Sequence, residues 1–312
     1  MDQFIELINT DTSFQITWEI ADICNFKCVY CDLHGEKYSW PSLEVCDKII
    51  TKIADFNGKR KVNFILFGGE LVVWKDFQDF LNLIDKRVQN NVKTLVTNGS
   101  ATKSYWTKRK INIDNVVFSF HPTQIPVDKF IQNILDCPIK RKIVQVLINP
   151  IKWDESIRYL KKIIQECGND KSFEIRPKVI DKRSSIMDIN MTVYTDEQRH
   201  FLASYVPKKT RIFVKLKDKD NNIIDLPNPS DLITLGLNNF YGWHCNIGVD
   251  KLSFKVDGSI SPASSSCFNS KMYNLGNWRE GVLNMHEMKP YVCEKTKCSC
   301  RPDMVMSKKK YV

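Results

Sequence analysis

From residue 14 to about residue 180 the sequence alternates short runs of β-branched and aromatic residues with longer amphipathic stretches, and this alternation limits the available folds more than any other feature. The runs 15–20, 62–67, 92–97, 116–120, 143–148 and 173–177 read as strands, and the segments 42–56, 75–88, 101–109, 124–136 and 153–166 between them read as helices. Strand, helix, strand in steady succession means parallel strands joined by crossover helices. Six such units make a partial barrel, short of a closed barrel of eight. The expected class is therefore α/β. In such sheets the side chains that do chemistry stand at the C-terminal ends of the strands, where the loops leave.

After residue 180 the rhythm breaks. Thr195 and Gln198 form a capping box for a helix starting at Asp196, segment 211–216 alternates like a strand, and a turn follows over 218–222. From Trp243 onward the chain is rich in Ser, Cys and turn residues, with Asp257-Gly258 as a two-residue hairpin turn between 252–255 and 259–261. Three parts are expected. A barrel spans 1–180, a connecting segment suited to substrate specificity spans 181–242, and a small cysteine-rich α+β domain spans 243–312.

Eleven cysteines in 312 residues call for a reason. The start Met1-Asp2-Gln3-Phe4 lacks the basic-then-apolar order of a signal peptide, and no run nears the roughly 20 apolar residues that span a bilayer, so a cytoplasmic protein with no membrane partner is expected. In a reducing compartment, clustered cysteines point to metal ligation instead of disulfides. Cys24, Cys28 and Cys31 fall together in the loop after the first barrel strand. Soft thiolates suit iron–sulfur chemistry, and three of them leave one iron of a cubane without a protein sulfur. A zinc ion would need a fourth ligand, such as His34. The isolated Cys46, Cys137 and Cys167 read as small buried hydrophobes.

The spacing C-x3-C-x2-C, with the aromatic Tyr30 before the third cysteine, resembles the signature of the radical S-adenosylmethionine (SAM) superfamily. The resemblance implies a partial (β/α)6 TIM-like barrel and a [4Fe-4S] cluster on Cys24, Cys28 and Cys31 whose open iron binds SAM. It also implies reductive cleavage of SAM to a 5′-deoxyadenosyl radical that abstracts a substrate hydrogen, with an electron donor such as flavodoxin or ferredoxin. Gly68-Gly69-Glu70, after the second strand, is similar to the family's GGE segment, where carboxylate and backbone receive the SAM ammonium; glycine lets the backbone approach a ligand closely. Thr97-Asn98-Gly99 is similar to the TNG element near the SAM methionine and ribose. Ser119 and His121 end the fourth strand, where relatives reach ribose or substrate. Arg176 resembles the basic residue that many members set against the SAM carboxylate, a task suited to a guanidinium fork.

Cys245, Cys267, Cys293, Cys298 and Cys300, together with Asp257-Gly258 and Leu275-Gly276-Asn277, are similar to the SPASM and twitch extensions of radical SAM enzymes, which bind auxiliary iron–sulfur clusters. Five cysteines fit the single-cluster twitch form better than the two-cluster SPASM form. The implied ligands of a second [4Fe-4S] cluster are Cys245, Cys267, Cys298 and Cys300, with Cys293 as an alternative or a spare. Cys298-Ser299-Cys300 is tighter than the usual C-x2-C, and a zinc ribbon built from the same cysteines stays open.

The formal charge of +10 and the pI near 9.0 favour anionic partners. The basic residues fall in short scattered runs, Lys108-Arg109-Lys110, Lys140-Arg141-Lys142 and Lys308-Lys309-Lys310, and read as solvated helix ends and a basic tail. The substrate stays open among a small metabolite, a peptide and RNA. Two rival readings are a zinc- and RNA-binding module and an iron–sulfur electron carrier without SAM turnover. Against the first, aromatics are not interleaved with the basic residues; against the second, an electron carrier normally ligates its cluster fully.

Overall fold

The computed structural model describes residues 3–31, 37–179, 194–205, 214–226, 232, 236–262, 275–294, 296, 298 and 301–311. After a first strand, β1 (Phe4–Asn9), six strands follow in sequence order: β2 (Phe14–Glu19), β3 (Val62–Phe67), β4 (Asn91–Thr97), β5 (Asn115–Phe120), β6 (Arg141–Ile148) and β7 (Phe173–Val179). Strands β2 to β7 pair in parallel, each with the next. Helices α1 (Leu43–Asn57), α2 (Phe77–Arg87), α3 (Lys103–Arg109), α4 (Val127–Leu135) and α5 (Trp153–Cys167) make the crossovers. The expected α/β partial barrel of six units is the fold observed.

Alternation along the strands sets its two faces. Phe14, Ile16 and Trp18 of β2 are fully buried under the helices, while Gln15, Thr17 and Glu19 are half-buried on the inner side. Helix α1 starts where the Ser42 hydroxyl accepts from the Val45 amide, and it buries Cys46, Ile49, Ile50 and Ile53 on one face. Cys46, Cys137 and Cys167 lie in this core, and burial pushes their thiols up to about 12, 11 and 11 respectively. That is the inert role their isolation in sequence suggested.

The rest of the chain is not a detached module. After α6 (Asp196–Ser204), which begins with the expected Thr195–Gln198 capping box, come β8 (Val214–Asp218), β9 (Ile223–Leu226), β10 (His244–Cys245) and α7 (Ile247–Asp250). They are followed by β11 (Lys251–Phe254), β12 (Ile260–Ser261), β13 (Tyr291–Val292), α8 (Arg301–Met304) and β14 (Lys308–Lys309). The β11–β12 hairpin extends the barrel sheet, with β11 parallel to β2, so this sheet has eight strands in the order β12-β11-β2-β3-β4-β5-β6-β7. A second, six-stranded sheet has the order β13-β10-β14-β1-β8-β9. β1, which precedes the six barrel strands, pairs instead with β8 and β14 in the second sheet.

Aromatic packing joins the parts. Trp18 meets Phe80, Phe254 and Trp278 edge-to-face, at centroid distances of 5.4, 5.0 and 5.4 Å. Lys251 and Asp303, both almost completely buried, pair at 2.6 Å. Lys308 donates to the carbonyls of Asp303, Met304 and Met306 at 3.0, 2.9 and 2.8 Å, satisfying the end of α8. Among the described residues no helix is long and apolar enough to cross a membrane.

Candidate active site

The loop that leaves β2 carries Cys24, Cys28 and Cys31, and it is stitched to the ends of the neighbouring strands. Ala21 and Ile23 offer their carbonyls to the amides of Gly69 and Glu70 at 2.6 and 2.8 Å. Asn25 accepts from the Asn98 side-chain amide at 2.8 Å and donates to Ser100 at 3.0 Å. The Lys27 amide donates to Gln124 at 2.8 Å. Asp22 receives the amides of Lys37 and Tyr38 at 2.9 and 3.0 Å, which closes the loop on itself. The loop is held by the ends of β3, β4 and β5 more than by its own contacts.

Close approach explains the glycines after β3. A Cβ on Gly69 would stand 1.8 Å from the Ile23 carbonyl oxygen, and one on Gly68 2.6 Å from that of Ala21. No side chain fits there, so main chain meets main chain behind the cysteine loop. Glu70, the next residue, lies behind the same loop. Its carboxylate is fully buried and accepts from the Thr97 hydroxyl at 2.8 Å, the Asn98 amide at 2.6 Å and the Val72 amide at 3.3 Å. It therefore ties the loop after β3 to the loop after β4. Burial lifts its pKa to about 7 against the pull of those three donors.

Cys24, Cys28 and Cys31 open onto one cavity of about 160 Å³, completed by Phe26, Phe67, Gly68, Gly69, Val96, Thr97, Asn98, Ser119 and His121. That volume is smaller than the range of about 300–1,000 Å³ usual for small-molecule sites. Tyr30 stacks on His121, with ring planes 13° apart and centroids 5.8 Å apart. Its hydroxyl lies 3.1 Å from His121 Nδ1, the imidazole tautomer deciding which group donates. Burial, helped by the charge of Lys178, lowers the His121 pKa to about 4, so the ring is neutral at neutral pH.

Burial, then the proximity of Cys31, pushes the Cys28 thiol up to about 12, and burial raises Cys24 as well. Soft thiols gathered on one cavity suit an iron–sulfur cluster, and three of them leave one iron free for another ligand.

Arg176 lies apart from these residues. Its guanidinium pairs with Glu174 on the same face of β7, and it is not among the residues lining the cavity. The cation of β7 whose charge is felt by His121 is Lys178, two residues on. Sequence reading also missed Asp22, Asn25 and Gln124, because a side chain that holds a loop in place carries no motif.

In the C-terminal part, Cys245 is buried in the main core, and Cys293 and Cys298 are buried in the second core beside Phe240, Trp243 and Met304. Main-chain bonds pin Cys293 to Trp243 at 2.8 Å and Cys298 to Asn238 at 2.9 Å. Cys267 and Cys300 lie outside the described residues, as does His34.

Comparison with known proteins agrees with this geometry. Residues 18–163 match the family model of the Radical SAM superfamily. No curated protein matches the chain. Among solved structures, native anSMEcpe with bound AdoMet and Kp18Cys peptide is similar over 88% of this chain and 79% of that chain, with a TM-score of 0.58 at 16% identity. The complex of anSMEcpe with AdoMet and Cp18Cys peptide gives a TM-score of 0.56 at 15% identity, over the same 88% and 79%. Streptococcus suis SuiB bound to S-adenosylmethionine is similar over 81% of this chain and 60% of that chain, at 14% identity and a TM-score of 0.49. At these identities the two anSMEcpe structures speak for the fold, and the family model speaks for the segment that bears the cysteine loop. The chain therefore carries a radical SAM superfamily domain, matched over residues 18–163.

Proposed function

We propose that this protein is a radical SAM enzyme that modifies a peptide or a small metabolite, with Cys24, Cys28 and Cys31 as the ligands of its SAM-binding [4Fe-4S] cluster. The observation that carries the reading is the opening of all three thiols onto one cavity, which Gly68, Gly69, Asn98, Ser119 and His121 also line. A cluster held by Cys24, Cys28 and Cys31 would supply the electron for reductive cleavage of SAM, and with it the chemistry of hydrogen-atom abstraction from a substrate.

The chain's own residues bind, orient and exclude. Asn98, Ser119 and His121 offer hydrogen-bonding groups to the polar parts of SAM, and His121, neutral at neutral pH, adds no charge beside the sulfonium. Phe26, Phe67 and Val96 provide an apolar lining that keeps water from a reactive radical. Tyr30 stacks on His121 and holds that ring at the cavity.

A peptide is the favoured substrate class, because the fold shared over most of both chains is that of anSMEcpe, which has been solved with peptides bound. The basic balance of the chain suits an acidic substrate or an acidic donor such as flavodoxin or ferredoxin. Cys245, Cys267, Cys298 and Cys300, with Cys293 as the alternative ligand, are proposed to hold an auxiliary [4Fe-4S] cluster in the C-terminal part. The connecting segment 181–242 is the proposed specificity region.

Iron per chain tests this reading. Anaerobically reconstituted protein is expected to hold about eight irons, falling to about four when Cys24, Cys28 and Cys31 are all changed to Ala. Unchanged iron in that variant would overturn the assignment of the loop, and about four irons falling to none would remove the auxiliary cluster.

A further inference from the structure

Arg279 lies far along the chain from the cysteine loop, yet its guanidinium reaches both ends of it. Nη2 donates to the carbonyl of Ile20, the last residue before the loop, at 2.7 Å. Nη1 donates to the carbonyl of Ser39, just after the loop, at 3.0 Å. Nε donates to the carbonyl of Val256, in the β11–β12 hairpin, at 2.6 Å. Three main-chain oxygens from three segments thus share one rigid fork.

The fork is itself held. Arg279 sits in a short 3₁₀ helix, Trp278–Glu280, whose cap Asn277 accepts the Arg279 amide at 3.0 Å. Trp278 is completely buried, packs edge-to-face on Trp18, and donates its indole N–H to the Lys255 carbonyl at 2.6 Å. The guanidinium lies 4.7 Å from the Trp278 ring and 5.5 Å from the Tyr38 ring. Tyr38 is also where Asp22 closes the loop, through the Tyr38 amide at 3.0 Å. Across the hairpin turn, Gly258 leaves room for Asn277, since a Cβ there would stand 2.1 Å from Asn277 Oδ1.

A half-buried cation needs compensation, and a carboxylate is its usual partner. Arg279 instead spends its N–H groups on carbonyl oxygens, and Asp22 is the charged group that most favours its ionised form. Ile20 and Ser39 bound the segment that contains all three cysteines. The C-terminal part, which also bears the second set of cysteines, therefore sets the span across which the loop must close.

We propose that Arg279 is a positioning residue for the three-cysteine loop: it fixes both ends of that loop from the C-terminal part of the chain, so that order at the SAM site depends on the β11–β12 hairpin being docked. The proposal rests on reading the loop as the cluster and SAM site, and its test separates the two. Lysine keeps the charge but cannot bridge three carbonyls, so the geometry and the charge can be told apart.

The experiment compares the full-length wild type with Arg279→Met and Arg279→Lys. The first readout, which needs no cofactor, is amide hydrogen–deuterium exchange; the second, on reconstituted and reduced protein, is the change in the cluster's electron paramagnetic resonance spectrum on adding SAM. The expected result is exchange at least about tenfold faster in 20–39 for both variants, with α2, α4 and α5 unchanged, and a weakened or lost spectral response to SAM. Exchange in 20–39 equal to wild type, or faster exchange spread evenly over the whole chain, would overturn the proposal, as would wild-type behaviour of Arg279→Lys. Should Arg279→Met fail to fold, Arg279→Lys decides alone by the same criteria. A wild-type spectrum that ignores SAM would sink the proposed function, while the exchange data would still decide whether Arg279 holds the loop.

Discussion

Glu70 and Asn98 are joined by a 2.6 Å hydrogen bond from the Asn98 amide to a carboxylate that is completely buried. The bond connects the loop after β3 to the loop after β4, and Thr97 and Val72 supply the other two donors. Asn98 in turn faces the cavity and touches Asn25 of the cysteine loop at 2.8 Å. Glu70 thus acts on the site through the backbone it holds.

Glu70→Gln should consequently be costly despite its equal size. An amide NH₂ in place of one oxygen turns a donor against a donor, which costs about 1–3 kcal/mol at pH 5. The folded-state pKa is raised to about 7, so the stability Glu70 contributes is fully present below its ordinary value of 4.5 and is lost as pH rises toward about 7. Urea unfolding of both proteins at pH 5 and pH 7.5 should show the gap between them narrowing. A gap that does not change with pH would mean Glu70 does not titrate in that range.

Gly69→Ala forces a methyl against the Ile23 carbonyl, where an ideal Cβ comes within 1.8 Å. The strain has to move the cysteine loop or the β3 end, and overpacking of this kind costs about 1–3 kcal/mol. Thermal unfolding should show the loss, and reconstituted iron should fall because the displaced main chain carries Cys24. Wild-type stability together with wild-type iron would show that the close approach is not needed.

Much of this was legible in the sequence. The six barrel strands and their helices carry unbroken periodicity, and their observed ends lie within a few residues of those the pattern gives. The cysteine loop, Gly68-Gly69, Asn98, Ser119 and His121 were legible because strand ends of parallel sheets concentrate chemistry, and all of them line the cavity. The second sheet was not legible. Strands such as His244–Cys245 and Tyr291–Val292 are too short to show alternation, and β1 pairs with segments from the far end of the chain. Arg176 pairs with Glu174 on β7, a contact that no spacing rule reveals. Arg279 was invisible for a related reason, since its partners are carbonyls of residues without a motif.

His121 should titrate far below an ordinary histidine. Burial, with Lys178 adding repulsion, lowers its pKa to about 4 from 6.5. The stability this neutral ring contributes is present above pH 6.5 and is lost as pH falls through about 4, at up to about 1.4 kcal/mol per pH unit. In the cofactor-free chain, imidazole NMR shifts should place the midpoint near 4, and His121→Gln should flatten the acid limb of stability against pH. A midpoint near 6.5 would mean that the ring is solvated and that its contact with Tyr30 is broken in solution.

The central claim is that the loop bearing Cys24, Cys28 and Cys31 holds a cluster that cleaves SAM, and its most direct test is 5′-deoxyadenosine formation. Reconstituted, reduced wild-type protein given SAM should form 5′-deoxyadenosine, and Cys28→Ala, treated identically, should form none. Undiminished formation by Cys28→Ala, or none by iron-loaded wild type, would contradict the account.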